Sequence, residues 1–253
     1  MSRIEHFQSD GIEIAYLDEG EGEPILLIHG FGSSIAVNWA STGWIDTLKR
    51  DGRRVVAFDN RGHGRSQKFY DPALYRPALM ARDAANLLDH LGIARADVMG
   101  YSMGARIAAF LALDRPDKVR SVILGGLGMA LVEGMVDQDA IVAALDAPSL
   151  DVVTDETGRI YRKFAEQTGA DLKALAACMR GSRETIPPER LAGIGAPVLI
   201  AVGTKDKVAG SATGLALLIP GAEVVEIPGR EHLPATGDKV FKEAVLAFLA
   251  RRR

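Results

Sequence analysis

Cysteine is nearly missing from this chain: Cys178 stands alone among 253 residues, so no disulfide can form within it. Basic excess is missing too. The formal net charge is −3, which leaves no phosphate-neutralising surface and argues against a nucleic-acid partner. No stretch approaches the roughly 18 apolar residues that span a bilayer, so stable membrane insertion is not expected. Met1-Ser2-Arg3-Ile4-Glu5-His6 carries an acid and no apolar run, unlike a secretory signal. Repeats and low-complexity tracts are absent, and a soluble, cytoplasmic protein is the default expectation. The composition, 47% apolar and 25% charged, is that of an ordinary globular protein large enough to bury one substantial core. The closing Arg251-Arg252-Arg253 reads as a complement to a helix dipole that frays into solvent.

Short apolar runs alternate with helical patterns. Ile12–Tyr16 alternates apolar and polar as a half-exposed strand does. Ile25–Ile28, Val55–Phe58, Val98-Met99, Val122–Leu124, Val198–Val202 and Val224–Ile227 are the apolar runs of strands covered on both faces. Leu79–Leu91 is amphipathic at helical spacing, Arg106–Leu113 is nearly all apolar, and Phe241–Leu249 is helical again. Such alternation predicts an α/β fold, a parallel sheet flanked by helices. From Leu127 to Arg190 the alternation stops. Gln138–Leu145, Gly158–Gln167 and Asp171–Arg180 read as short helices in a segment without strands. The chain therefore divides into core (1–126), helical insertion (127–190) and core again (191–253), with the insertion expected above the carboxyl ends of the strands. Met129, Leu131, Val132, Met135, Ile141 and Leu145 within it read as packing residues, an acyl-pocket lining being the alternative.

Gly100-Tyr101-Ser102-Met103-Gly104 joins a strand to a buried helix. A serine at such a sharp turn projects its hydroxyl above the sheet at a helix N-terminus, and flanking glycines relieve the crowding. The hydroxyl needs a base, and the base an orienting acid. Of five histidines, His6 and His90 read as surface residues and His29 and His63 lie in glycine-rich turns. His232 follows the last strand and faces the same rim as Ser102. Asp206, in Gly203-Thr204-Lys205-Asp206, ends a core strand about one strand-and-helix unit earlier. A plain helix cap is its alternative role, and Asp238 a rival acid that reads as a cap. The turn His29-Gly30-Phe31-Gly32 can offer the Phe31 amide to an oxyanion, with Met103 supplying the second N–H. Asp59-Asn60-Arg61-Gly62-His63-Gly64-Arg65-Ser66 lacks P-loop spacing and metal-ligand clustering, and reads as a tight turn held by Asp59 and Arg61. Cys178, with no histidine beside it, reads as a buried, inert thiol.

With the order Ser102, Asp206, His232 and the upstream His29–Gly32 turn, the chain resembles the α/β-hydrolase superfamily over residues 10–126 and 191–249. The resemblance implies an eight-stranded, mostly parallel sheet with a helical cap, here the insertion. It also matches Asp59–Ser66 to the turn after that family's fourth strand. Within the superfamily the chain is similar to small carboxylesterases and lysophospholipase-type members. Serine at the elbow departs from the epoxide hydrolase and haloalkane dehalogenase branches, which use aspartate there. The implied activity is hydrolysis of small-molecule carboxylic esters through an acyl-enzyme, with no cofactor and no metal. Carbon–carbon, lactone or thioester hydrolysis and cofactor-free perhydrolysis fit the same triad. A ligand-binding protein that retains the triad shape is the alternative outside enzymes.

Overall fold

The computed structural model describes residues 3–135, 137–182 and 184–252. Eight strands form one sheet: β1 (Glu5–Ser9), β2 (Ile12–Glu19), β3 (Glu23–Ile28), β4 (Arg53–Phe58), β5 (Ala96–Tyr101), β6 (Val119–Gly125), β7 (Val198–Gly203) and β8 (Glu223–Ile227). Their order across the sheet is β1-β2-β4-β3-β5-β6-β7-β8. β2 runs antiparallel to both β1 and β4, and every pairing from β4 to β8 is parallel. This is the expected α/β architecture, with β1 as a strand the apolar pattern does not announce.

Each parallel strand feeds two cores because successive side chains point to opposite faces. Leu26 and Ile28 join Val56, Val98 and Val122 on one face, whereas Ile25 and Leu27 join Val55, Met99 and Ile123 on the other. The first face is covered by α2 (Pro77–His90) and α3 (Met103–Asp114), the second by α1 (Trp44–Arg50) and α11 (Lys239–Ala250). The closing helix is capped by Asp238, which accepts from the Val240 amide at 2.8 Å, as its sequence position suggests. Its end does not fray as expected: Arg252 lies over the Phe248 ring at 3.5 Å and reaches Glu223 at 3.3 Å. Stacking a guanidinium on an aromatic face outweighs the freedom of a terminal side chain. Arg253 lies outside the described residues.

Between β6 and β7 the described residues form helices only: α4 (Ala130–Glu133), α5 (Gln138–Asp146), α6 (Glu156–Gln167), α7 (Leu172–Gly181) and α8 (Pro188–Leu191). Asp155 and Asp171 start α6 and α7, accepting from the amides of Gly158 at 2.6 Å and Ala174 at 3.0 Å. Ile141, Leu145, Ala165, Leu175 and Met179 make a small apolar cluster of their own, against which Phe31 of the β3 loop packs. Gly181 sits so close to the turn Pro72–Tyr75, which precedes α2, that a Cβ there would meet the Pro72 carbonyl at 2.0 Å. Of the apolar positions singled out in this segment, Leu131 is fully buried with Met129 and Val132 against the main core, and Ile141 and Leu145 belong to the small cluster. The short helices α9 (Ala212–Ala216) and α10 (His232–Ala235) follow β7 and β8. No described helix is long and apolar enough to cross a membrane.

Candidate active site

Ser102 occupies the single residue between β5 and α3, with φ 53° and ψ −113°. A side chain in that region of backbone space carries strain of roughly 1–3 kcal/mol. The turn is held because Ser102 donates its amide to the Gly125 carbonyl at 2.7 Å. It is also held because its glycines leave no alternative: a Cβ on Gly104 would lie 1.9 Å from the Ile28 carbonyl oxygen, and one on Gly100 would lie 2.1 Å from that of Gly104. The tight fit brings β5, α3 and the end of β3 into backbone contact and sets Ser102 at the carboxyl end of a central strand.

His232, at the start of α10, meets that hydroxyl: its Nε2 is 2.9 Å from Ser102 Oγ. Its Nδ1 is 2.7 Å from Asp206 Oδ2. Asp206, whose side chain is wholly buried, follows β7 and also accepts the Val208 and Ala209 amides on Oδ1 at 2.8 and 3.0 Å. The helix-cap role weighed for this aspartate falls to Ser211 instead, which accepts the Gly214 amide at 2.9 Å at the start of α9, so Asp206 Oδ1 braces the loop before that helix. The carboxylate makes Nδ1 the donor, which leaves Nε2 to accept the serine proton. The loops carrying acid and base are laced together, Lys205 donating its amide to the Arg230 carbonyl at 3.0 Å and Gly229 donating to Thr204 Oγ1 at 2.8 Å. Tyr101 adds a hydrogen bond from its hydroxyl to the His232 carbonyl at 2.5 Å. The three side chains expected from the sequence to act together therefore form one hydrogen-bonded chain, and Asp238 is elsewhere, paired with Arg230 at 2.6 Å.

Phe31 and Met103 line the same cavity as Ser102. As the first residue of α3, Met103 has an amide with no acceptor inside the helix. The Phe31 turn is fixed from behind by His29. Its Nδ1 donates to the Gly30 carbonyl at 2.7 Å, and its Nε2 accepts the Asn60 amide at 2.9 Å. Complete burial pushes its pKa down to about 4, so it stays neutral and serves as a strut. His63 is likewise buried, with burial the main cause of a pKa near 3, and Nδ1 3.0 Å from the Arg61 carbonyl. The Asp59–Ser66 segment is the tight turn expected: Asp59 accepts the Ile35 and Arg65 amides at 2.7 and 2.8 Å, and Arg61 forks onto Asp83. Among the described residues no group of three or more potential ligands could hold a metal ion. Cys178 is fully buried, its thiol pushed up to about 12 by desolvation.

The cavity itself is small, about 50 Å³. The helical segment contributes Met135, Gln138, Tyr161, Met179 and Ser182 to its wall. Met135 is thus the one highlighted apolar residue of that segment found at the cavity. Sequence reading missed Tyr161 and Arg106. Arg106 was legible only as the charged first residue of an apolar run, four positions after Ser102.

A family model described as alpha/beta hydrolase fold matches residues 23–168, more than half of the chain. The dihydrolipoyllysine-residue acetyltransferase component of the acetoin cleaving system from Cupriavidus necator is 33% identical over 93% of this chain and 62% of its own length. The chain thus spans about six-tenths of that relative. Among solved structures, a hydrolase from Pseudomonas aeruginosa superposes with a TM-score of 0.80 at 26% identity, covering 97% of this chain and 98% of the other. The enol-lactonase from Burkholderia xenovorans superposes with a TM-score of 0.79 at 25% identity, covering 97% and 100%.

Proposed function

The chain belongs to the α/β-hydrolase fold family, and from that premise we propose that it is a serine hydrolase cleaving small carboxylic esters through an acyl-enzyme. The observation that carries this reading is the Asp206–His232–Ser102 chain, with links of 2.7 and 2.9 Å, ending at a hydroxyl held on a strained turn. Ser102 Oγ attacks the ester carbonyl while its proton passes to His232 Nε2. Asp206 keeps the imidazole in the accepting tautomer and stabilises the imidazolium. The amides of Phe31 and Met103 receive the oxyanion, each worth roughly 3 kcal/mol in the transition state. Collapse of the tetrahedral species breaks the bond to the leaving alkoxide, which takes the proton from His232. Water, deprotonated by the same imidazole, then attacks the acyl-serine and releases the acid. No cofactor enters this scheme.

In this reading residues 127–190 act as a cap between the two parts of the core, because Met135, Gln138 and Tyr161 wall the cavity over Ser102. A cytoplasmic setting belongs to it, the fold needing no disulfide. The small cavity favours short acyl groups. Lactone hydrolysis is the second reading, favoured by the likeness to the enol-lactonase along the whole chain; a lactone is an ester closed on itself and needs no further catalytic group. The test is a series of p-nitrophenyl esters from acetyl to palmitoyl on wild type and Ser102→Ala. Turnover of the short esters that vanishes in the variant is the expected result. A folded wild type inert towards every ester, or a variant as active as wild type, overturns the reading.

A further inference from the structure

Arg106 lines the same cavity as Ser102 and is 93% buried, its relative exposure being 7%. Its described partners are three backbone carbonyls: Nη1 donates to Leu131 and Glu184 at 3.2 and 2.9 Å, and Nη2 donates to Ala130 at 2.7 Å. None carries a full charge. The carboxylate of Glu184 is turned away to Arg76, at 3.3 Å. Desolvation alone acts on the Arg106 guanidinium, lowering its pKa to about 10, so it remains a cation at neutral pH. Other buried guanidinium groups of this protein are answered by acids: Arg53 by Asp97 at 3.0 Å, Arg61 by Asp83 at 2.7 Å, Arg162 by Glu166 at 2.7 Å. Arg106 alone of these four has no acid among the described residues, and it is the one at the cavity.

A buried charge without a counter-ion is costly, and such charges are normally paired. The three carbonyl contacts occupy three of five guanidinium N–H groups, leaving Nε–H and one Nη2–H as donors of the kind a carboxylate accepts. Arg106 lies in the first turn of α3, which begins directly after Ser102, and both residues line the cavity.

Resting on the reading of Ser102 as nucleophile, we propose that Arg106 is a specificity determinant that takes the free carboxylate of the substrate, so that the preferred esters are short monoesters of dicarboxylic acids. The charge binds at Arg106 while the ester carbonyl, a few carbons away, lies at Ser102. Ser182 and Gln138 add polar groups to the wall of the same cavity, and the remaining lining is mostly apolar, which suits a short hydrocarbon link between the two ends.

The probes are monomethyl glutarate and its uncharged isostere methyl glutaramate, followed in a pH-stat at pH 7.5. Wild type is expected to favour the acid at least tenfold in kcat/KM, and Arg106→Gln to bring that ratio to one or below. Equal turnover of the two by wild type, or a ratio unchanged in Arg106→Gln, overturns the proposal. Because Arg106 also anchors carbonyls 130, 131 and 184, the variant's fold is checked by its melting temperature. A measurement on wild type alone stands beside it: glutarate should inhibit hydrolysis of p-nitrophenyl acetate with a Ki at least tenfold below that of glutaramide, and equal inhibition overturns the proposal. Failure of the nucleophile assignment is read separately. Ser102→Ala that still hydrolyses both esters defeats that assignment, whereas glutarate raising the melting temperature of Ser102→Ala, and glutaramide not doing so, upholds the Arg106 site.

Discussion

Asn60 grips His29 twice, its backbone amide donating to the imidazole Nε2 at 2.9 Å and its side-chain amide donating to the His29 carbonyl at 3.0 Å. The clasp joins the end of β3 to the turn after β4, behind the loop that carries Phe31. It requires a neutral imidazole, since a protonated Nε2 would face a donor. His63, 5.3 Å away between ring centroids, is buried beside it and kept neutral chiefly by its desolvation.

Acid stability follows from that pair. Both histidines titrate below their unfolded value of about 6.5, near 4 and 3 respectively. Between pH 6.5 and 4 the unfolded chain therefore binds more protons than the native one, and stability falls as pH falls. It is fully present above pH 6.5. The two sites together should remove about 4 kcal/mol between pH 7 and 5, at about 1.4 kcal/mol per unit for each. Urea denaturation of wild type and His63→Gln at the two pH values measures this. The variant should lose about half of the slope, and an unchanged slope counts against buried neutral His63.

Asp206→Asn should separate catalysis from stability. An asparagine carbonyl can still accept the Val208 and Ala209 amides, so the loop keeps its brace. The imidazole, however, loses the partner that sets its tautomer. Ester kcat should fall about 10⁴-fold while the melting temperature moves by a few degrees at most. Loss of the fold together with activity would show the carboxylate to be structural first.

Ser102→Gly should abolish ester hydrolysis and raise stability. At φ 53° and ψ −113° glycine is unstrained. Relief of roughly 1–3 kcal/mol is offset by about 0.5–1 kcal/mol of added chain entropy in the unfolded state. A thermal melt higher than that of wild type is the expected outcome; a lower one means that the turn stores no strain.

Gly104→Ala should be severely destabilising, since its Cβ would meet the Ile28 carbonyl at 1.9 Å, backbone against backbone. Gly195→Ala is the control. Nothing lies within 4 Å of a Cβ there, and loss of glycine's freedom should leave stability unchanged or slightly higher. Soluble expression and melting temperature distinguish the two, and equal behaviour would contradict the close approach of α3 to β3.

The parallel strands and the Ser102, Asp206 and His232 chain were readable because each announces itself locally, as an apolar run or as a polar residue directly after one. β1 was not, because its inward positions are Phe7 and Ser9 and only one of them is apolar. Ser9 is held by a hydrogen bond to Asp83 at 2.6 Å, a contact across 74 residues that no local pattern reveals. The signal that does exist is Asp10-Gly11, both at positive φ, the pair that closes a two-residue hairpin into β2. Arg106 was hidden for the opposite reason. Its neighbours Ala105, Ile107, Ala108 and Ala109 are all buried, so the run reads as core. Only the fold shows that Arg106 lines the cavity.

Sheet order has a temporal side. Ser102 ends β5 in the middle of the sheet, but the acid and base that complete the chain come from residues 206 and 232, beyond β7 and β8. During synthesis the serine leaves the ribosome long before its base does, and the helices of 127–190 emerge in between. Until residue 232 has emerged and docked, the hydroxyl lacks the imidazole that meets it in the folded chain. On the proposed reading the nascent chain stays chemically silent until the segment after β8 docks at the far side of the sheet.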